Sequence, residues 1–364
     1  MKTIHCFSFW LLIGCCFSAL YGQEKTSAVI AHFSKATHLQ WAVPTPQGSL
    51  PLEWEERDNT LSSEGYRSFV AYHEGVFSGS ISMNDTTLSG EVWQDRHTYS
   101  LSDDKGQLRV SLQESHTSCE ACADEASSQR AMLPTRLAPD TILAEESLPS
   151  EDKRVLYNVH VLRTFRLAML IDYSFYKGHC QGRMELAKAF MTDVQTKLNE
   201  VCGRELGYQF ELVDDPRLIR VAEKEEIYPD KPLVRTVVNT ATDAFNKLIG
   251  EENYDAGIVF SIYSDNRGLA HLGEITGKLK GGCIANHEFY IILHELGHLL
   301  GSAHTFTIGG ATASSFTEPD RGNSIMSYIN DPYGTYFSLP SIYTIRNRTN
   351  LHDAYYSDKA RTQL

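Results

Sequence analysis

Residues 294–304 read His-Glu-Leu-Gly-His-Leu-Leu-Gly-Ser-Ala-His, and this stretch is the most informative part of the chain. Apolar residues surround it and predict a helix from about Asn286 to Leu300. Because residues four apart lie one above the other on a helix, His294 and His298 point their imidazoles at the same place. The glycine that follows the helix can turn the chain back, which lets His304 arrive there as a third imidazole.

Three protein nitrogens with one coordination position left open are typical of a catalytic rather than a structural zinc site. Glu295 lies one step round the helix, where it can reach a water molecule in that position and act as general base. The nearby pair His287-Glu288 does not predict a second such site, because Ile291 occupies the position where another ligand is needed. No cation other than zinc is indicated.

The motif and a second stretch, Ser-Ile-Met-Ser-Tyr at residues 324–328, together resemble the metzincin zinc endopeptidases. In that clan the methionine, here Met326, lies in a tight turn beneath the zinc ligands. Within the clan, residues 155 to 345 are most similar to secreted bacterial enzymes of the reprolysin-like, adamalysin type. The supporting stretches are residues 163–168, 254–257, 281–283, 304–306 and 318–319.

This resemblance implies an α+β fold, in which a metzincin catalytic domain over residues 155–364 has a mixed twisted sheet and three main helices. It implies hydrolysis of internal peptide bonds in protein or peptide substrates, with Zn2+ as the cofactor. The ligands would be His294, His298 and His304, and Glu295 would be the catalytic base.

Two departures separate the chain from animal reprolysins. Those enzymes usually have Asp after the third histidine and Cys before the Ile-Met of the turn, where this chain has Thr305 and Ser324. Tyr328, two residues after Met326, is similar to the tyrosine of the astacin and serralysin branches, which can approach the zinc and stabilise the oxyanion. A catalytic role for Tyr328 and a packing role both remain open at this point.

Composition excludes several classes of protein. The chain has 364 residues and a formal net charge of −13, which argues against binding to nucleic acids or to anionic membranes because phosphate contacts need clustered basic side chains. Apolar residues make up 42% of the chain, enough to build real cores. Away from the N-terminus, no apolar run reaches the ~20 residues of a transmembrane helix.

The N-terminus predicts export. Residues 1–22 have a lysine, an apolar segment and a small residue before Gln23, as in a signal peptide, so we expect a secreted protein. The alternative is a lipoprotein at the cell envelope, because residues 12–15 resemble a lipobox that would place a lipid anchor on Cys15.

The first half of the chain differs in pattern from the second. Residues 28 to about 114 alternate and turn often, which predicts an all-β or mostly β region. By resemblance, residues 23–123 are a β-rich reprolysin-type propeptide domain, so that the protein would be made as a zymogen. Residues 124–154 are rich in Ser, Glu, Asp and Pro and predict a linker and processing region. The alternative is that the first half is a permanent recognition module.

The cysteines leave the latency mechanism open. Cys119 or Cys122 could supply a thiolate that blocks the zinc, although their surroundings do not match the usual switch motif and a local disulfide or loop thiols are the alternative. A bridge between Cys180 and Cys202 across one straight helix is excluded, because ~22 helical residues span ~30 Å whereas a disulfide needs Cα atoms within ~7 Å.

After residue 155 the pattern predicts alternating strands and helices. We expect helices at 181–201, 230–249 and 286–300, a helical tail at 339–356, and strands at 158–171, 208–213, 256–260 and 268–275. The last strand is short and polar, which predicts an edge along which substrate lies extended, and His271 within it is expected at the rim rather than as a ligand. The competing function is a secreted binding or adhesive protein that uses zinc for stability without turnover.

Overall fold

A computed structural model describes residues 24–94, 97–113, 161–229, 231–265, 268–305, 324–327, 335–350 and 361–363. The helices of these ranges are α1 (Thr26–Phe33), α2 (Tyr173–Gly178), α3 (Met184–Leu206), α4 (Val234–Ile249), α5 (Phe289–Leu300) and α6 (Leu339–Asn350). The strands are β1 (His38–Thr45), β2 (Gly48–Arg57), β3 (Arg67–His73), β4 (Val76–Met83), β5 (Leu88–Gln94), β6 (His97–Asp104), β7 (Gln107–Gln113), β8 (Val161–Ile171), β9 (Tyr208–Leu212), β10 (Ala256–Phe260), β11 (Leu269–Ala270), β12 (Cys283–Ala285) and β13 (Arg361–Gln363).

The strands β1 to β7 form one antiparallel sheet in which each strand pairs with its neighbour in sequence, and we call it the N-terminal sheet. One of its faces packs on α1, where Phe33 contacts Trp54 and Phe69 edge-on. The sequence predicts the strands of this region but not the helix that precedes them. That helix forms because Val29, Ile30 and Phe33 lie on one face and are buried against the sheet.

The second sheet is mixed, as expected, and we call it the C-terminal sheet. Its order is β11-β12-β10-β8-β13, and β9 also pairs with β8. The strands β8, β9, β10 and β12 run parallel to one another, whereas β11 is antiparallel to β12 and β13 is antiparallel to β8. Every residue of β10 is buried, which agrees with the continuous apolar run from which this strand is predicted.

The predicted elements of the C-terminal part exist, but several bounds differ. The helix expected to begin at Asp230 begins at Val234, because Leu233 is still extended and Pro232 precedes it. The edge strand covers only Leu269–Ala270, and a 3-10 turn at Glu274–Thr276 replaces its expected end. The sequence pattern missed α2, β12 and β13, of which the two strands have three residues each and are too short to show a period.

Helix α3 lies between the two sheets and is buried on nearly all sides. Its apolar side chains belong to the core that includes β8 and β9. Its polar face, with Thr192, Asp193 and Lys197, is buried as well, because β3, β4 and β5 of the N-terminal sheet cover it. Gly207, in the left-handed conformation with φ of +71°, ends the helix and leads directly into β9.

Two further features of the described residues concern the state of the cysteines and the length of the apolar helices. Cys180, Cys202 and Cys283 are buried free thiols, and burial raises the pKa of each. Within the described ranges, no helix is long and apolar enough to cross a membrane. The predicted signal peptide, the linker, Cys15, Cys119, Cys122 and Tyr328 lie outside the ranges that the structure describes.

Candidate metal centre

Helix α5 carries the first two histidines of the motif and is almost wholly apolar around them. Its residues from Ile291 to Leu300 are all buried, so the helix runs through the core rather than over the surface. Gly301, with φ of +114°, ends it, and the N–H groups of Gly301 and Ser302 donate to carbonyls of the last turn. The chain therefore reverses immediately after the helix, as the glycine predicts, and brings His304 back towards it.

The three histidines meet in one place. The Nε2 atom of His298 lies 3.1 Å from that of His294 and 2.9 Å from that of His304, and the remaining pair is 3.3 Å apart. All three side chains are buried, with at most 6% of their surface exposed. In the part of the chain that the structure describes, they are the group of His, Cys, Asp and Glu side chains whose ligand atoms are close enough to hold a metal ion.

The opposite ring nitrogens orient these imidazoles. Nδ1 of His294 lies 2.6 Å from the carbonyl oxygen of Ile325, and Nδ1 of His298 lies 2.7 Å from that of Ser302. A carbonyl can only accept, so each Nδ1 carries the proton and donates it, which leaves the Nε2 lone pair for a metal. Neither carbonyl partner can be recognised from the sequence, because every residue type has a backbone carbonyl.

Burial also keeps these rings neutral. It lowers the pKa of His294 to about 3, with a further decrease from His304 and an opposing increase from the hydrogen bond to Ile325. Burial and the two neighbouring histidines lower the pKa of His298 as well. Neutral imidazole is the form that binds metals, so near pH 7 no proton has to leave these rings before a metal enters.

The donor set fits zinc. Two nitrogens at the usual Zn–N distance of about 2.0–2.1 Å and a tetrahedral angle lie about 3.3–3.4 Å apart, so the observed separations need a change of only a few tenths of an ångström. Three imidazoles also leave one position of a tetrahedron for water or substrate. The three histidines could therefore hold a zinc ion with one coordination position open.

Glu295 is fully buried and lies next to His294 on helix α5. The backbone of Gly268, just before the edge strand β11, passes against it. A Cβ atom at residue 268 would lie 2.5 Å from Oε1 of Glu295 and 2.6 Å from Cγ2 of Ile291. Sequence reasoning missed Gly268, although a glycine at the start of a predicted edge strand is a sign of close backbone approach.

Met326 packs against Gly297 of α5, in a turn closed by a hydrogen bond from the N–H of Ser327 to the carbonyl of Ser324. Met326 is fully buried, and a Cβ atom at Gly297 of α5 would lie only 2.5 Å from its sulfur. The N–H of Thr305 donates to the carbonyl of Met326, which ties the turn to the residue after His304.

The edge strand lies beside this centre. β11 pairs with β12 at the end of the sheet, and the N–H of Gly273 donates to the carbonyl of His298. Nε2 of His271 lies 3.2 Å from the carbonyl of Val238, away from the three histidines. His271 is therefore separate from the group that could hold a metal.

The chain is similar to one protein family and to several solved structures. Residues 161–338 match the reprolysin-type profile of metallo-peptidase family M12. The crystal structure of metalloproteinase-II from Bacteroides fragilis aligns over 90% of this chain and 96% of its own, with 10% identity and a TM-score of 0.45. A chaperone–substrate complex aligns over 52% of this chain and 36% of its own, with 14% identity and a TM-score of 0.36. No curated protein matches the sequence. Residues 161–338, just under half of this chain, therefore resemble metallo-peptidase family M12, as the zinc motif predicts.

Proposed function

We propose that the protein is a secreted zinc endopeptidase that hydrolyses internal peptide bonds of proteins. The observation that carries this proposal is the convergence of the Nε2 atoms of His294, His298 and His304 within 3.3 Å of one another, with Glu295 buried beside them. The match of residues 161–338 to family M12 supports a zinc-dependent peptidase and protein substrates. The internal cleavage and the residue roles are our inference from the site.

In this mechanism the protein supplies the base and the orientation. His294, His298 and His304 would hold a zinc ion, which would supply a Lewis acid that polarises the scissile carbonyl and acidifies water. Glu295 accepts the proton of the attacking water and passes it to the amine nitrogen that leaves. The hydrogen bonds from His294 and His298 to backbone carbonyls hold the ligand rings in one orientation. Substrate lies extended along β11 and pairs with its backbone.

Tyr328 is proposed to stabilise the oxyanion, because it is similar to the tyrosine of the astacin and serralysin branches. The variant Tyr328→Phe separates this role from packing, because it keeps the ring and removes only the hydroxyl. A decrease in kcat with unchanged stability supports the catalytic role. An unchanged kcat removes Tyr328 from the mechanism.

We also propose that residues 23–123 are a propeptide, cut off within residues 124–154. The polar character of the face of α3 that the N-terminal sheet covers supports this, because Asp193, Lys197 and Thr192 can face water once the sheet has left. The centre of an obligate interface is more apolar than this contact between α3 and the N-terminal sheet. The N-terminal sequence of the protein from culture medium tests the proposal. A start near Val155 supports removal, and a start at Gln23 supports a permanent module.

Localisation rests on residues 1–22, and the same sequencing experiment addresses it. A soluble product in the medium supports secretion, whereas a membrane-associated product whose N-terminal Cys15 carries lipid supports the envelope lipoprotein.

The thiols of Cys119 and Cys122 stay candidates for latency, and alkylating them in the full-length protein tests whether either one holds the enzyme inactive.

The decisive experiment for the peptidase function compares the native protein with Glu295→Gln. Both are incubated with casein and a peptide library, with and without a chelator, and zinc content is measured in each. We expect zinc in both proteins but cleavage only by the native one, and none after chelation. The competing function, a zinc-stabilised binding protein, predicts zinc in both and cleavage by neither.

A further inference from the structure

A cavity of about 530 Å³ lies between the N-terminal sheet and the C-terminal part, away from the three metal-site histidines. The sheet contributes hydroxyl groups to it from three adjacent strands. In the strand register, Ser102 of β6 pairs with Ser89 of β5 on one side and with Arg109 of β7 on the other. Two residues before Ser102, Ser100 pairs with Ser111 of β7. These side chains share one face of the sheet, so the wall that they form is polar across its full width.

The opposite wall is built by the C-terminal part. Lys177 and His179 come from the end of α2, and His287 comes from the segment before α5. The rings of His179 and His287 have centroids 4.7 Å apart and planes tilted by 33°, and the ring of Phe190 of α3 meets His179 edge-on at 5.1 Å. The cavity thus has apolar ring surface at its back and hydrogen-bonding groups at its sides.

The charges around the cavity oppose the charge of the whole molecule. Lys105, Arg109 and Lys177 line it, against one carboxylate, Asp104. The neighbouring carboxylate of Asp103 is already held by Arg183 and by the hydroxyl of Thr26. In a chain of net charge −13, a local excess of cations is a concentrated positive field.

We propose that this cavity binds a small tetrahedral oxyanion, a phosphate or sulfate group, between the two halves of the molecule. Arg109 with Lys105 and Lys177 supplies charge, and the hydroxyls of Ser102 and Ser111 donate hydrogen bonds, as oxyanion sites require. The proposal does not depend on the peptidase function, because none of these residues belongs to the metal centre.

The two imidazoles act as neutral donors in this site. Burial, together with the charges of His287 and Lys197, lowers the pKa of His179 to about 3, and burial lowers that of His287. Near pH 7 each ring therefore offers one N–H group but no charge. An anion bound to both walls also favours the docked arrangement of the sheet, because a ligand stabilises the state that forms its site.

Isothermal titration calorimetry on the full-length protein tests the proposal, with inorganic phosphate, sulfate and glycerol phosphate at constant ionic strength. We expect saturable binding that weakens about tenfold in Arg109→Gln and in Lys177→Gln, since each change removes a hydrogen bond from a charged donor. Lys35→Gln is the matched control, because this lysine is exposed outside the cavity. Tighter binding of glycerol phosphate than of inorganic phosphate identifies a phosphate ester as the ligand type.

Three results would overturn the proposal. The first is no saturable heat with any of the three anions. The second is equal binding by the native protein and Arg109→Gln when both unfold at the same temperature. The third is binding that disappears on chelation, because the anion would then be bound at the metal centre.

Discussion

Trp93 of the N-terminal sheet lies parallel to Phe289, with 8° between the ring planes and 6.0 Å between their centroids. Phe289 is the first residue of α5, the helix that carries two of the metal-site histidines. The ammonium of Lys197 lies 5.1 Å from the centre of the same ring. The N-terminal sheet therefore packs on the beginning of the metal helix, at the end away from His298.

We expect Trp93→Ala to weaken the docking of the sheet. Trp93 is buried and also contacts Phe77, and truncation of such a side chain costs about 3–5 kcal/mol. Urea unfolding should show separate transitions for the two halves where the native protein shows one. The control is Trp41→Ala, because Trp41 packs on Phe33 of α1 and Trp54 of β2 and should lower the stability of the N-terminal half without separating the halves. A single transition in Trp93→Ala at the native midpoint would contradict this.

The second prediction concerns the buried ion group under the sheet. Nζ of Lys197 lies 2.9 Å from Asp193 and 3.1 Å from Glu91, and all three side chains are buried. Lys197→Met leaves two carboxylates without their cation, so we expect a loss of about 3–5 kcal/mol in the free energy of unfolding.

The triple variant Lys197→Met, Asp193→Leu, Glu91→Leu is the matched comparison for that change. Replacing a whole buried ion group by apolar residues is often neutral or stabilising, so the triple variant should regain most of the lost stability. If the triple variant is no more stable than Lys197→Met alone, the loss in the single variant does not come from uncompensated charge.

Acid should destabilise the protein through His179 and His287. The folded state holds the pKa of His179 near 3, below the ordinary value of about 6.5, so the unfolded chain binds more protons between these values. The stability contributed by the neutral ring is present above pH 6.5 and decreases as the pH falls towards 3. Lys197 lowers the pKa of both rings, and Glu91 opposes this at His287.

The measurement is the free energy of unfolding of the native protein and of His179→Phe/His287→Phe at pH 7 and pH 5. We expect the native protein to lose at least about 2 kcal/mol more than the variant over this interval, because each such ring contributes about 1.4 kcal/mol per pH unit below 6.5. The difference isolates the pair, because the metal-site histidines and all carboxylates are the same in both proteins. Equal losses would mean that these rings do not resist protonation in the folded state.

The metal motif was predictable because spacing on a helix fixes where its side chains point. His294 and His298 meet for that reason, and the glycine after the helix predicts the return of His304. The strands β8 and β10 were predictable from their apolar runs. The carbonyl partners of the histidines were not, because backbone acceptors carry no residue signal.

The surroundings of α3 show why the rest escaped prediction. Leu186, Phe190 and Val194 lie at helical spacing and indicate one buried face, but this spacing gives no sign that Asp193 and Lys197 are buried too. The structure buries both, because a sheet formed roughly a hundred residues earlier in the chain covers them. Long-range docking of this kind leaves no periodic signal in the helix that it buries.

Gly268→Ala should lower peptidase activity without removing the metal. Its new methyl group would overlap Oε1 and Cγ of Glu295, so the side chain proposed as general base must move. General-base catalysis contributes about 10²–10⁴-fold to rates, and we expect kcat to fall by a substantial part of that factor with zinc content unchanged. Gly178→Ala is the control, because only Ile262 lies near its new methyl, at 3.8 Å. Full activity in Gly268→Ala would show that Glu295 tolerates the displacement or is not the base.

Gly297→Ala should destabilise the metal centre although alanine favours helices. In an open helical position the change stabilises by about 0.5–1 kcal/mol, and Gly203 of α3 is such a position because the nearest atom to a new Cβ is 3.7 Å away. At Gly297 the new methyl would lie 2.5 Å from the sulfur of Met326 and 3.1 Å from Phe337, and overpacking of a core costs about 1–3 kcal/mol. Displacement of Met326 also shifts the carbonyl of Ile325 that accepts from His294, so zinc affinity should fall with stability.

Thermal unfolding and zinc titration of Gly297→Ala, Gly203→Ala and Gly297→Ala/Met326→Ala check this. We expect Gly203→Ala to be more stable than the native protein, and the two changes in the double variant to cost less than the sum of each alone, because removing the methionine side chain makes room for the methyl. Strict additivity would show that Gly297 and Met326 do not compete for the same space.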